Sequence, residues 1–250
     1  MKKELTPITP ETLSYALQHL RSLILVDEQV FDDLGNLKTT LHELKIVFDE
    51  KEHGPSLEAL RNELRLLKQL VYKDELTGIL NRRGVHEEFS GFFREALFYK
   101  EHKDLRKGVV ISDFSVIFID LDNFKSINDR FGHDEGDRVL KECAVILKKH
   151  ARETDAVGRL GGEEFVMGLL GASESEAYEK AEALRADLGK GIRVGGNPIT
   201  ASLGVASLHA SNVQTLEALI HAADMAMYDA KTNRGKNTTT KYSDVVSSKK

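Results

Sequence analysis

Three features of the sequence predict a chain of two parts, an all-helical segment over residues 1–72 followed by an α/β domain over 73–242. Leucines spaced alternately three and four apart run through the first part, and helical and strand-like apolar patterns alternate through the second. A double glycine between two apolar runs marks a tight hairpin in the middle of that domain.

In the first part, Leu34, Leu37, Leu41 and Leu44 form one heptad seam, and Leu57, Leu60, Leu64, Leu67 and Val71 form another. Gly54-Pro55-Ser56 separates them, since proline cannot extend the preceding helix and Ser56 suits a helix start. No strand pattern is present here. Runs this short fit an intramolecular helical bundle and a coiled coil pairing two chains equally well. His19, His42 and His53 stand singly, and no cofactor, phosphoacceptor or metal motif marks an input signal.

From Lys73 the pattern predicts a helix over 83–99, a charged loop over 101–107 and a buried strand over 115–120. An amphipathic helix follows over 134–150, with Val139, Leu140, Cys143, Ile146 and Leu147 on one face, so Cys143 is expected in the core. The hairpin pairs 157–160 with 165–170. Then come a helix over 174–188, a strand over 199–206, a helix over 216–231 and an edge strand over 238–242. Residues 243–250 read as a disordered, frayed tail.

The bulk properties bound the function. A net charge of -5 argues against a protein built to neutralise nucleic-acid phosphate. Cys143 is the only cysteine, which rules out an intramolecular disulfide and a cysteine zinc site. The start carries no secretory pattern and no apolar run is long enough to span a bilayer, so a cytoplasmic protein without a membrane partner is expected. His86-Glu87-Glu88-Phe89-Ser90 lacks the second histidine of a zinc-protease helix. Phe124, Lys125 and Phe131 spoil an EF-hand loop.

Asp120 ends an apolar strand, delivering a carboxylate to a sheet edge, and Asp122 follows two residues on. An Asp-x-Asp pair suits magnesium, a hard cation that binds carboxylate, water and phosphate oxygens; it suits a solvated loop or helix cap as well. Glu163 and Glu164 follow Gly161 and Gly162 in the hairpin turn, where bare backbone lets phosphate approach. Carboxylates from neighbouring strands, Asp120 and Glu163, are then placed to bind metals that neutralise a triphosphate.

These residues resemble a known family. Gly161-Gly162-Glu163-Glu164-Phe165 resembles the signature turn of GGDEF domains in its GGEEF form. Asp74-Glu75-Leu76-Thr77-Gly78-Ile79-Leu80-Asn81-Arg82-Arg83 is similar to the family's opening motif, and Phe118-Ile119-Asp120-Leu121-Asp122-Asn123-Phe124-Lys125 to its metal-binding strand end. Ile127-Asn128-Asp129 and Phe131-Gly132-His133-Asp134-Glu135-Gly136-Asp137 continue the pattern in register. The resemblance covers residues 73–242. It implies a nucleotidyl-cyclase fold, with a mainly antiparallel sheet flanked by helices, and a diguanylate cyclase active as a homodimer. Two GTP, one per subunit, would condense into cyclic di-GMP with release of two pyrophosphates.

Carried over residue by residue, the resemblance makes Asp120, Glu163 and the Leu121 carbonyl ligands of Mg2+ or Mn2+. Glu163 is also the candidate for deprotonating the attacking 3'-hydroxyl, and Lys125 for meeting phosphate charge in the transition state. Asn128 and Asp137 would read guanine, with His133, Phe124, Gly161 and Gly162 lining the nucleotide. A carboxylate at 137 suits the N1-H and N2-H donors of guanine and faces adenine unfavourably. Arg152 and Asp155, with Arg185 as a further contact, resemble the inhibitory site for the product.

The closing motif departs from the family's Lys-x-x-Gly-Arg-Asn: it reads Lys231-Thr232-Asn233-Arg234-Gly235-Lys236-Asn237, one residue longer. Lys231 fits a phosphate ligand, and the second cation is either Arg234 or Lys236. The link over 101–113 is also longer than usual. Two other readings compete with a cyclase: a non-catalytic cyclic di-GMP receptor using Arg152 and Asp155, and a dimeric signalling adaptor driven by its helices.

Overall fold

The structure, a computed structural model, describes residues 6–7, 46–47, 71–101 and 113–248. The chain falls into two compact units, Met1–Gln69 and Leu70–Lys250. In the first, Thr6–Pro7 and Ile46–Val47 pair as short parallel strands, too short for any alternation to be legible in the sequence. The leucine seams over 34–44 and 57–67, and with them the choice between bundle and coiled coil, lie outside the described residues. So does the long link over 102–112.

In chain order the second unit runs α1 (Arg82–Glu101), β1 (Phe114–Leu121), α2 (Phe124–Phe131), α3 (His133–His150), β2 (Asp155–Gly161), β3 (Glu164–Leu170) and α4 (Glu174–Gly191). It continues with β4 (Arg193–Val194), β5 (Asn197–Pro198), β6 (Ala201–Ser207), α5 (Leu208–Ser211), α6 (Leu216–Thr232), β7 (Thr239–Lys241) and α7 (Tyr242–Ser247). Five strands form one sheet in the order β2-β3-β1-β6-β7, antiparallel except where β7 lies parallel to β6 at the edge. The mixed α/β class with a mainly antiparallel sheet is therefore as the sequence predicts.

β1 is central because it is apolar on both faces, and all eight of its residues are buried. Ile117, Ile119 and Leu121 point to one side, against Leu140, Cys143 and Leu147 of α3 and Ala177, Ala181 and Leu184 of α4. Val116 and Phe118 point to the other, against Phe89 and Phe93 of α1 and Leu219, Ala223 and Met227 of α6. Cys143 is core, as expected, and burial pushes its thiol well above the ordinary range.

Four pieces of structure were not foreseen. α2 has only Phe124 and Ile127 buried, too few for a helical period to register. The β4-β5 hairpin and α5 are shorter still. The fourth is a correction: the frayed tail expected from Ser243 is helical through Ser247. Val245 is buried, and the buried carboxylate of Glu174 accepts from Ser243 Oγ at 2.5 Å and from its backbone N–H at 3.3 Å. A single apolar contact and a pair of hydrogen bonds leave no repeat in the sequence.

Candidate active site

The adjoining ends of β1 and β3 bring the acidic residues together. Asp120 is in register with Glu164 on β3 and Ser202 on β6, and the Leu121 N–H donates to the Glu163 carbonyl at 3.3 Å. Between the strands, Gly161 and Gly162 turn the chain, and the φ of +51° at Gly162 is a left-handed conformation that glycine adopts without a Cβ penalty. Asp120 is only 6% exposed. Lys231, near the end of α6, brings its Nζ to 2.6 Å from Asp120 Oδ1, an ion pair that partners this buried oxygen. Burial pushes the Asp120 carboxyl up to about 6; Lys231 pulls it down, and the carboxylates of Glu163 and Glu164 add to the rise.

The Asp-x-Asp reading divides in the structure. The Asp122 carboxylate accepts from Thr200 Oγ1 at 2.7 Å, Ser202 Oγ at 2.7 Å and the Asn237 N–H at 3.0 Å. With these donors filling its lone pairs, this buried group fastens β6 and the closing loop to the end of β1. It is a fastener rather than a metal ligand.

α2 and α3 present the residues expected to read the base. They meet at Gly132, and at Gly136 any Cβ would collide with Asn128 Oδ1 and crowd the Phe124 ring. Glycine at 136 thus lets the Asn128 side chain pack against the first turn of α3. Phe124 is buried under this crossing, anchoring α2 rather than lining an open surface, while Lys125 and His133 are exposed.

In the closing loop, Arg234 turns back to Asp229 at 2.7 Å. Lys236 instead reaches Asn123 Oδ1, also at 2.7 Å, beside the Asp120–Asp122 loop. Of the two cations left open by the sequence, Lys236 is the one whose ammonium lies against the end of β1, while Arg234 is paired with Asp229 of α6.

The turn expected to hold product closes on itself: Asp155 Oδ2 accepts from the Arg152 N–H at 2.9 Å and from Lys180 Nζ at 2.6 Å. Exposed Arg152 and partly buried Asp155 line a cavity of about 420 Å³ together with Lys73, Lys148 and Leu80. Arg185 is engaged elsewhere, paired with Glu182 at 2.9 Å and donating to Asn237.

Sequence reasoning missed three supporting residues. Arg159 donates through Nη1 to both carboxylate oxygens of Asp74 at 3.2 Å and through Nε to the Gly162 carbonyl at 2.9 Å. Arg82 Nε donates to the Leu160 carbonyl at 3.1 Å. Lys180, on α4, neutralises Asp155. The signals available were the position of Arg159 two residues before the double glycine and that of Arg82 within the opening motif.

Among the described residues no three His, Cys, Asp or Glu side chains converge as a metal cage. The carboxylates of Asp120 and Glu163, on an adjoining strand end and turn, fit magnesium nonetheless, because that ion keeps waters and takes much of its shell from substrate phosphate.

A mainly antiparallel sheet with acidic residues at two adjacent strand ends, flanked by lysines and a glycine turn, defines an α/β domain with an acidic site at one edge of its sheet. The chain belongs to the GGDEF family: the family described as "Diguanylate cyclase, GGDEF domain" matches residues 71–238. Diguanylate cyclase TpbB of Pseudomonas aeruginosa is 37% identical over 175 residues, 69% of this chain and 38% of that protein. Diguanylate cyclase DgcM of Escherichia coli is 36% identical over 172 residues, covering 68% of this chain and 38% of its own length. The chain thus spans well under half of these relatives. The crystal structure of the GGDEF domain of DgcB from Caulobacter crescentus in complex with c-di-GMP is similar with a TM-score of 0.58 at 26% identity, covering 69% of this chain and 93% of that one. Among the described residues no helix is long and apolar enough to cross a membrane.

Proposed function

We propose that this chain is a diguanylate cyclase that joins two GTP into cyclic di-GMP, working as a homodimer with one GTP per subunit. The observation that carries the reading is the charge arrangement at Asp120: a buried carboxylate at a strand end, with Glu163 on the adjoining turn and the Lys231 ammonium at 2.6 Å. A buried carboxyl whose proton affinity is raised is stable in ionised form when a cation joins it. Family membership and the names of the relatives support the same activity.

Asp120, Glu163 and the Leu121 carbonyl would hold Mg2+, which when bound neutralises triphosphate charge and acidifies a nearby hydroxyl. The protein's own residues supply the rest. Gly161 and Gly162 admit the phosphates to bare backbone, and Lys231 exchanges Asp120 for phosphate oxygen as the nucleotide enters. Lys236 adds a second cation, and Lys125 meets the charge that develops as pyrophosphate leaves. Asn128 and Asp137 select guanine through hydrogen bonds that adenine cannot complete. In each half-reaction a 3'-oxygen bonds to the α-phosphorus of the facing GTP, the bond from that phosphorus to the bridging oxygen breaks, and the hydroxyl proton passes to Glu163 or solvent. Each subunit holds one nucleotide, so both are needed for the ring. Arg152 and Asp155 are the proposed product-binding turn.

The test is incubation of the purified dimer, freed of product, with GTP and Mg2+, beside Glu163→Gln. Cyclic di-GMP from the wild type alone is the expected result; none from either protein overturns the reading.

A further inference from the structure

We propose that Arg185 is a positioning residue for the phosphate-binding loop, acting through Asn237, rather than a contact for inhibitory product. This rests on the reading of Lys231 and Lys236 as triphosphate ligands.

The loop between α6 and β7 is an improbable conformation held from outside. Gly235, Lys236 and Asn237 have φ of 84°, 65° and 45°, three left-handed residues in succession. Of the four non-glycine residues with positive φ among the described residues, three meet here: Asn123, Lys236 and Asn237. Side-chain residues occupy this region at an energetic cost and stay there only where neighbours over-determine them. The loop is also one residue longer than the motif it resembles, which adds conformations to be excluded.

The restraints can be named. Asn237 donates its N–H to buried Asp122 at 3.0 Å. From the opposite side, Arg185 Nη1 donates to the Asn237 carbonyl at 3.1 Å and to Oδ1 at 2.9 Å, so one nitrogen grips both oxygens of the residue. The guanidinium is itself fixed by Glu182, which accepts from Nε and Nη2 at 2.9 Å each, and the pairing raises the arginine and lowers the glutamate in proton affinity. α4 behind them is anchored by buried Ala181, Leu184 and Leu188. Arg185 therefore transmits the position of a rigid helix to Asn237, and so to its neighbour Lys236, whose ammonium lies 2.7 Å from Asn123 Oδ1. A lysine at 185 would keep the charge and lose the fork that holds both partners at once.

The experiment titrates the full-length protein, with Mg2+ present, against a non-hydrolysable GTP analogue and separately against cyclic di-GMP, in the wild type, Arg185→Met and Arg185→Lys. Losing a charge-assisted hydrogen bond predicts analogue binding weaker by about tenfold or more in Arg185→Met and by a smaller factor in Arg185→Lys. Cyclic di-GMP affinity should stay at the wild-type value, while the melting temperature falls modestly as the pairing with Glu182 is lost. Unchanged analogue binding with lost cyclic di-GMP binding overturns the proposal and returns Arg185 to the product site. A fall in both affinities together with the melting temperature also overturns it, since that marks a purely structural residue. A wild type that binds the analogue and makes no cyclic di-GMP sinks the proposed reaction while leaving the Arg185 result to stand.

Discussion

Arg159 ties Asp74, at the entrance to the second unit, to Gly162 in the signature turn, with 3.2 Å bonds to both carboxylate oxygens and a 2.9 Å bond to the carbonyl. The side chains are 14% and 22% exposed, so the pair is largely shielded from solvent. Residues 85 apart in sequence thus share one guanidinium, and the turn carrying Glu163 is braced by the segment that leads into the domain.

Breaking this brace should cost stability and activity together. Arg159→Met removes a charge-assisted bond network and leaves Asp74 with Thr77 alone, a loss of about 2 kcal/mol in denaturant unfolding. Burial pushes the Asp74 carboxyl up, but hydrogen bonds from Thr77 and the charge of Arg159 outweigh it and hold the carboxyl below its ordinary value. For a depressed carboxyl the stabilisation is full above the unfolded value near 3.8 and is lost as pH falls through the lower folded value. Unfolding curves should therefore show wild type and Arg159→Met diverging above about pH 5 and converging in strong acid; parallel curves would contradict the pairing.

Asp120 carries the opposite sign. Its folded value, about 6, lies above the ordinary 3.8, so its contribution to stability is present below about pH 4 and is lost as pH rises through 6. Without bound metal, Asp120→Asn should be more stable than the wild type at pH 8, by on the order of 1 kcal/mol after allowing for solvent screening, and should match it at about pH 4. Product formation should vanish. Mg2+ binding by the wild type, followed by titration calorimetry, should weaken below about pH 6 as protons compete for the same carboxylate.

The sequence carried the fold wherever apolar periodicity ran for two turns or more, as in α3, or filled a strand, as in β1. Spaced motifs likewise singled out Asp120, Glu163, Asn128 and Asp137 as candidates. What it concealed were dependences between distant residues. Asp122 looks like half of a metal pair until Thr200, Ser202 and Asn237 are seen to fill its lone pairs. That Arg185 pairs with Glu182 and donates to Asn237 is visible only in the structure. The α7 tail is polar in composition, and its docking depends on one valine and one serine meeting Glu174.

Gly136 tests how the base-reading residues are placed. A methyl group there would overlap Asn128 Oδ1, so Gly136→Ala must rotate Asn128 or push α2 from α3, strain of about 1–3 kcal/mol in a packed crossing. The expected outcome is a raised KM for GTP with selectivity over ATP reduced in steady-state assays. Gly136→Ala combined with Asn128→Ala, which removes the obstructing oxygen, should restore the melting temperature and leave the KM high.

The C-terminal helix makes the last prediction, because composition and structure disagree about it. Truncation after Tyr242 removes buried Val245 and both donors to Glu174, a residue only 9% exposed. Loss of a buried valine and an orphaned carboxylate should together destabilise the domain by about 3 kcal/mol. Glu174→Gln in the truncated chain should recover part of this, since a neutral amide is easier to leave without donors than a charge. Ser243→Ala alone, keeping Val245, should cost the smaller hydrogen-bond share, about 1 kcal/mol. Equal stabilities for the full-length and truncated chains in urea would mean that α7 contributes nothing and that the frayed tail suggested by its composition was correct.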